Sequence, residues 1–235
     1  EYFGGYFDKV RSLTEKAKGL INIPLLAKLT KRLVMNGAID EIDSKTDLFN
    51  KFIDEIVMKQ VDNDVNAGMD REVQEGKYYH MLMKLEELSL KLMRAGKKER
   101  FIRYDAKEFL LELALMKKAQ LISVAGHVLD IESFEGLSEE DHRFHHPNFQ
   151  EYFTAKQLMI LYKRPDKREL FNALIDISRK QDEDGNELFD YEPEVGLFFS
   201  EFIESGMKKD SPDAKRAFNF WQDTLMNTDN DWVRT

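Results

Sequence analysis

The chain has 235 residues, 42% of them hydrophobic and 34% charged, with a net charge of -9. That is enough apolar material for a sizeable core, in one large domain or two to three small ones. No apolar run approaches the roughly 18 residues of a membrane span, and the absence of cysteine excludes disulfides, thiolate zinc sites and cysteine nucleophiles.

The acidic balance disfavours nonspecific binding of nucleic acid, which needs clustered Lys and Arg to neutralise phosphates. A cysteine-free chain also suits a reducing, cytoplasmic setting. The first residues, Glu1-Tyr2-Phe3-Gly4-Gly5, have neither the basic nor the apolar region of a signal peptide. With no initiating methionine, the chain reads as the middle of a longer protein.

The predicted elements are mostly helices. Pro24 sits in the first turn of one whose apolar face holds Leu25, Leu26, Leu29 and Leu33, stopped at Asn36-Gly37. Thr46 or Ser44 caps the next, with Leu48, Phe49, Phe52, Ile53, Ile56 and Val57 at helical spacing. Residues 60–76 are polar, contain Asn and Gly, and read as a linker or long loop. Met81, Leu85, Leu88 and Leu92 mark a helix ending near Gly96. Asp105-Ala106-Lys107-Glu108 resembles a capping box ahead of Phe109, Leu110, Leu113 and Met116.

The β-signal follows. Leu121–Val124 and Val128–Ile131 flank Ala125-Gly126-His127, and Arg143–His146 is a third short stretch. Helices followed by a small hairpin are the order of a winged helix. Asp166-Lys167-Arg168-Glu169 caps a helix with Leu170, Phe171, Leu174 and Ile175. Asp182–Asn186 is a turn, and Val195, Phe198, Phe199, Phe202 and Ile203 form a face stopped by Gly206. Ser211-Pro212 opens a last helix with Phe218 and Trp221. The fold class expected is mainly α. It comprises a helical domain over 1–62, a winged-helix domain with a small β-hairpin wing over 63–165, and a C-terminal helical bundle or helical-repeat region over 166–235.

No catalytic constellation stands out. The chain has no Gly-x-x-x-x-Gly-Lys-[Ser/Thr], Gly-x-Gly-x-x-Gly, Gly-x-Ser-x-Gly or His-Glu-x-x-His. Asp62-Asn63-Asp64 imitates a calcium loop but places Gly68 one residue late and Val73 where a bidentate Glu is needed. Asp182-Glu183-Asp184-Gly185 would have to begin at the cation Lys180. His142, His145 and His146 lie close together, but 142 and 145 face opposite sides of a strand, so no metal is expected. His142 and His145 read as wing-edge residues. The basic run Lys91, Arg94, Lys97, Lys98, Arg100 and Arg103 fits a solvated helix end. The cluster Lys163, Arg164, Lys167 and Arg168 fits an exposed loop between helices.

Phe144-His145-His146-Pro147-Asn148-Phe149-Gln150-Glu151-Tyr152-Phe153 is the most specific stretch. It resembles the Phe-x-His-x-x-Phe-Gln-Glu-Tyr signature near the end of the winged helix in the NACHT family, a branch of the STAND signalling ATPases. Aligned on Phe149-Gln150-Glu151-Tyr152, the family's histidine falls on His146 and not on His145. Asn22-Ile23-Pro24-Leu25-Leu26 is similar to the proline-led helix of the family's first helical domain, and residues 81–124 to its winged helix, so the likeness spans roughly 15–165.

The resemblance implies that Pro24 packs on an adenine and His146 senses the phosphates of bound ADP or ATP. Phe149, Tyr152 and Phe153 would pack the helix, and Gln150 and Glu151 would orient or cap it. It further implies a regulatory fragment without catalysis of its own. That fragment would partner an N-terminal P-loop NTPase domain of the same protein, forming homo-oligomers on activation, with no membrane or nucleic-acid partner. The other reading of the residues is a winged-helix interaction module that binds protein or nucleic acid through 91–103.

Overall fold

Ser44 opens the first described helix. Its hydroxyl accepts the Asp47 N–H (3.0 Å) and donates to the Asp47 carboxylate (2.8 Å), closing the cap reciprocally. In the computed structural model, residues 42, 44–97, 100–102, 105–129, 138–163, 167–181, 187–189 and 193–208 are described. The helices expected around Pro24 and after Ser211 lie outside these residues, as does the turn at 182–186. The chain divides into two compact units, Glu1–Met58 and Lys59–Thr235. No helix among the described residues is long and apolar enough to cross a membrane.

Helix α1, Lys45–Asn66, buries Leu48, Phe49, Phe52, Ile53 and Val57 at the expected spacing. It then continues through the stretch expected to be a linker. Helix α2, Arg71–Arg94, follows α1 with only four residues between. The polar composition of 60–76 misleads because two polar residues, Asp64 and Gln74, occupy buried positions, while Asp62, Asn63 and Asn66 line the wet side.

The connection is built on Gly68, whose φ of +91° lets Gly68 N–H reach Val65 C=O (2.9 Å) and Met69 N–H reach Asp64 C=O (3.1 Å). Asp70 caps α2 by accepting the Val73 N–H at 3.0 Å. The same glycine-ended closure recurs after α2. Gly96 (φ +69°) allows Lys97 N–H to bond Leu92 C=O at 2.9 Å.

Strand β1, Arg100–Ile102, follows, then a 3-10 turn, Lys107–Phe109, leading directly into helix α3, Leu110–Lys118. The capping box expected at Asp105 does not form. The Asp105 carboxylate instead accepts the Ile102 N–H at 3.0 Å, and the 3-10 turn has no side-chain cap. Strands β2, Ile122–Leu129, and β3, Ser138–Phe144, form the hairpin, with β1 added antiparallel to the outer side of β3. This helix–strand–helix–hairpin order, with sheet order β1-β3-β2, is the arrangement expected of a winged helix.

Ala125-Gly126-His127 lies inside β2. The register passes from Val124↔His142 to Gly126↔Asp141, so Ala125 is the extra residue of a bulge within one continuous strand.

Helix α4, Pro147–Lys163, packs against α2, and its other neighbours are helices α5, Lys167–Ser178, and α6, Pro193–Lys208. Between α5 and α6 lie β4, Arg179–Gln181, and β5, Glu187–Phe189, paired antiparallel. Helix α6 buries Val195, Phe198, Phe199 and Ile203 as expected and runs two residues past Gly206.

Within the second unit, the end of α1 is tied down by one carboxylate. Asp64 accepts the Tyr78 hydroxyl of α2 (3.2 Å) and the ammonium of Lys118 at the end of α3. The bond from Lys118 holds the Asp64 carboxyl below its ordinary value, against the opposing effect of burial. A group with a lowered folded pKa stabilises above the ordinary carboxylate range and loses that contribution as pH falls through it. Asp64→Asn is therefore expected to cost about 1.5–3 kcal/mol at pH 7, the value of a hydrogen bond to a charged group. The deficit should shrink as pH drops below about 4. Denaturant unfolding of both proteins across pH 3–7 checks this, and a constant deficit would contradict it.

Candidate functional site

The site is the junction where β3 becomes α4. Phe144 ends the strand buried, opposite Ile122. One residue further, the His145 N–H donates to Leu121 C=O at 3.1 Å and prolongs the pairing of the two strands. His146 stands immediately before α4, and Pro147 takes the first helical position, where a missing N–H costs nothing. His146 does what Ser or Asp does at other helix starts. Its ring Nδ1 accepts the Asn148 N–H at 3.2 Å, and its C=O accepts the Phe149 N–H at 3.0 Å. With Nδ1 an acceptor, the neutral imidazole carries its proton on Nε2 and can donate from there.

Behind this half-buried histidine the helix is fixed on all sides. Phe149, Gln150, Glu151, Tyr152 and Phe153 are all buried. The Tyr152 ring meets Phe153 edge-on at 5.3 Å and Phe198 of α6 at 5.6 Å, geometries that add to simple burial. Gln150 Nε2 donates to Lys97 C=O at 2.7 Å, joining the first turn of α4 to the turn that ends α2.

The three neighbouring histidines are separated as the strand period requires: His142 is buried and His145 is exposed. Loss of solvation, and then the charge of Arg143, holds His145 below the ordinary histidine value. The expectation of wing-edge histidines needs correcting for His142. It sits in the middle strand, fully enclosed, with its ring 5.4 Å from that of Phe101. No group of three His, Asp or Glu among the described residues is placed to hold a metal ion. Pro24 lies outside the described residues.

The basic run is not a free cationic surface. Lys91 pairs with Glu108 (3.1 Å), Arg94 with Asp176 (2.6 Å), Lys97 with Asp105 (2.6 Å) and Arg100 with Asp141 (3.7 Å). Lys98 and Arg103 lie outside the described residues. These cations are each spoken for by a carboxylate, which lowers the positive potential a phosphate backbone would meet. Arg100 also belongs to β1 rather than to a helix end, since a three-residue strand leaves almost no periodic trace.

Sequence reasoning missed one buried ion pair on the α2–α4 interface. Glu86 of α2 meets Lys156 of α4 at 3.3 Å, and the Lys156 ammonium also lies 5.5 Å from the centre of the Tyr152 ring. Burial pushes the Glu86 carboxyl above its ordinary value, and Lys156 only partly offsets this. The hint in the sequence was slight: Glu86 lies one residue past Leu85 on a face otherwise marked by Leu and Met.

A raised folded pKa works in the opposite sense to Asp64. Its stabilisation is present below the ordinary carboxylate range and is lost as pH rises through the folded value. Glu86→Gln should therefore gain stability relative to the parent chain as pH increases from about 4 toward 7. Paired melts at the two pH values test this, and a Glu86→Gln deficit that grows with pH would rule it out.

No protein-family model matches the chain, and no curated protein matches it.

Proposed function

We propose that these residues are the regulatory, nucleotide-sensing portion of a NACHT-type signalling ATPase. They would act with a P-loop domain of the same protein that lies outside the 235 residues, in the cytoplasm. The observation that carries this reading is the position of His146. It is half-buried at the start of α4, its Nδ1 is committed to the helix cap, and Phe149, Gln150, Glu151 and Tyr152 are buried behind it.

The chemistry fits a phosphate oxygen. Neutral imidazole donates from Nε2, and the N-terminus of a helix adds a partial positive charge of its own. Each can act on a bound phosphate oxygen. The histidine therefore biases a two-state equilibrium by its differential contact with diphosphate in the closed form. By the same resemblance, Pro24 packs on the adenine. The nucleotide, bound chiefly by the P-loop, supplies the energetic difference between states, and this fragment reads it without catalysing hydrolysis. Loss of the contact favours the oligomerising form.

The cap and the sensor can be separated. Asn caps helices well but is too short to stand in for imidazole Nε2. In the full-length protein, His146→Ala should release diphosphate roughly 5–150-fold faster, the range of a 1–3 kcal/mol coupling, and raise spontaneous oligomerisation. His146→Asn should show the same fast release with a melting temperature near that of the parent. Release measured with a fluorescent diphosphate, alongside light scattering, decides the matter. Parent-like retention in both variants would sink the sensor reading.

A further inference from the structure

Gln150 is one helical turn beyond His146 and almost completely buried, so its side chain is held in one place rather than sampling solvent. Its amide donates to Lys97 C=O at 2.7 Å. That carbonyl is itself fixed. The same residue's N–H closes the α2 terminal turn on Leu92 C=O (2.9 Å), and its ammonium holds Asp105 at 2.6 Å, whose other oxygen receives the Ile102 N–H. On the other side of His146, the preceding residue is fastened by the bond from His145 N–H to Leu121 C=O. The histidine is thus suspended between two backbone anchors, one through the sheet and one through Gln150.

We infer that Gln150 is a positioning residue for His146: by fastening the first turn of α4 to the Lys97 carbonyl it fixes the rotation of that turn, and with it the direction in which the His146 Nε2–H points. The inference deepens the proposed sensor role and rests on that reading for its functional meaning. Its geometric part stands alone. The His146 tautomer depends on the Asn148 N–H meeting Nδ1 at 3.2 Å, a contact set by the first turn of α4.

Gln150→Met removes the donor while keeping a side chain of similar length and volume. The Lys97 carbonyl loses its Gln150 donor in this variant, so a melting curve run alongside reports any general loss of stability. Full-length protein labelled with 15N-histidine should show a protonated Nε2 and unprotonated Nδ1 for His146. In Gln150→Met the His146 signals should move toward a tautomer mixture while those of His142 and His145 stay in place. Unmoved His146 signals would overturn the positioning role whatever the nucleotide does.

The second readout is diphosphate release. Gln150→Met should speed it within the roughly 5–150-fold range of an allosteric coupling, and should add nothing in a His146→Ala background. Additive effects would mean that Gln150 acts by loosening the fold, and would overturn the inference. If His146→Ala alone leaves release unchanged, the sensor reading fails, and the tautomer measurement still decides the role of Gln150.

Discussion

Helix α4 is buried along most of its length, and that constraint organises the second unit. A helix with little exposed face offers few of its polar side chains to solvent, so partners inside the protein matter; the buried Thr154 hydroxyl of α4 has none. Gln150 takes the Lys97 carbonyl, and Lys156 takes Glu86 and the face of Tyr152. These bonds point to the α2 side, while Tyr152 stacks toward α6. The sheet enters from the remaining end, where β3 runs into α4 with only two residues between. Every element that reaches α4 therefore helps set where its first residue, and the histidine before it, is held.

Two buried carboxylates show how differently one residue class can be used. Asp64 has two donors and gains more from them than it loses by burial. Glu86 has one ammonium, itself partly exposed, and desolvation wins. The first locks three helices at one corner. The second joins α2 to α4 at some energetic cost and restricts how the two helices can slide, since moving either by a turn would strand a charge in apolar surroundings.

The helical skeleton was legible because apolar spacing marks a buried face directly. Leu48 to Val57, Met81 to Leu92 and Val195 to Ile203 all fall where the period puts them. The linker misreading came from polar residues doing buried work. Asp64 and Gln74 completed faces that a hydrophobic count could not see, so two helices looked like a linker. Two stretches flanking Ala125-Gly126-His127 proved to be one strand, because the small residues between them form a bulge. Asp105 sat at capping distance in sequence, but its oxygens were claimed by Ile102 and Lys97. At the site, the opposite facing of His142 and His145 could be read from residues alone. The cap made by His146, and the anchor used by Gln150, depend on carbonyls and N–H groups that carry no sequence label.

The turn that closes α3 bears on this junction from an unexpected side. Gln120 holds a φ of +58°, in the left-handed region where a glycine would be at ease, so that Leu121 N–H can reach Met116 C=O at 3.0 Å. Leu121 is also the residue whose carbonyl holds His145. A β-branched residue at 120 could not adopt that backbone without strain. Variation at this outwardly ordinary surface position would therefore propagate through one peptide unit to the histidine pair. The tolerance of the α3–β2 corner to mutation is limited by a demand that originates on the neighbouring strand.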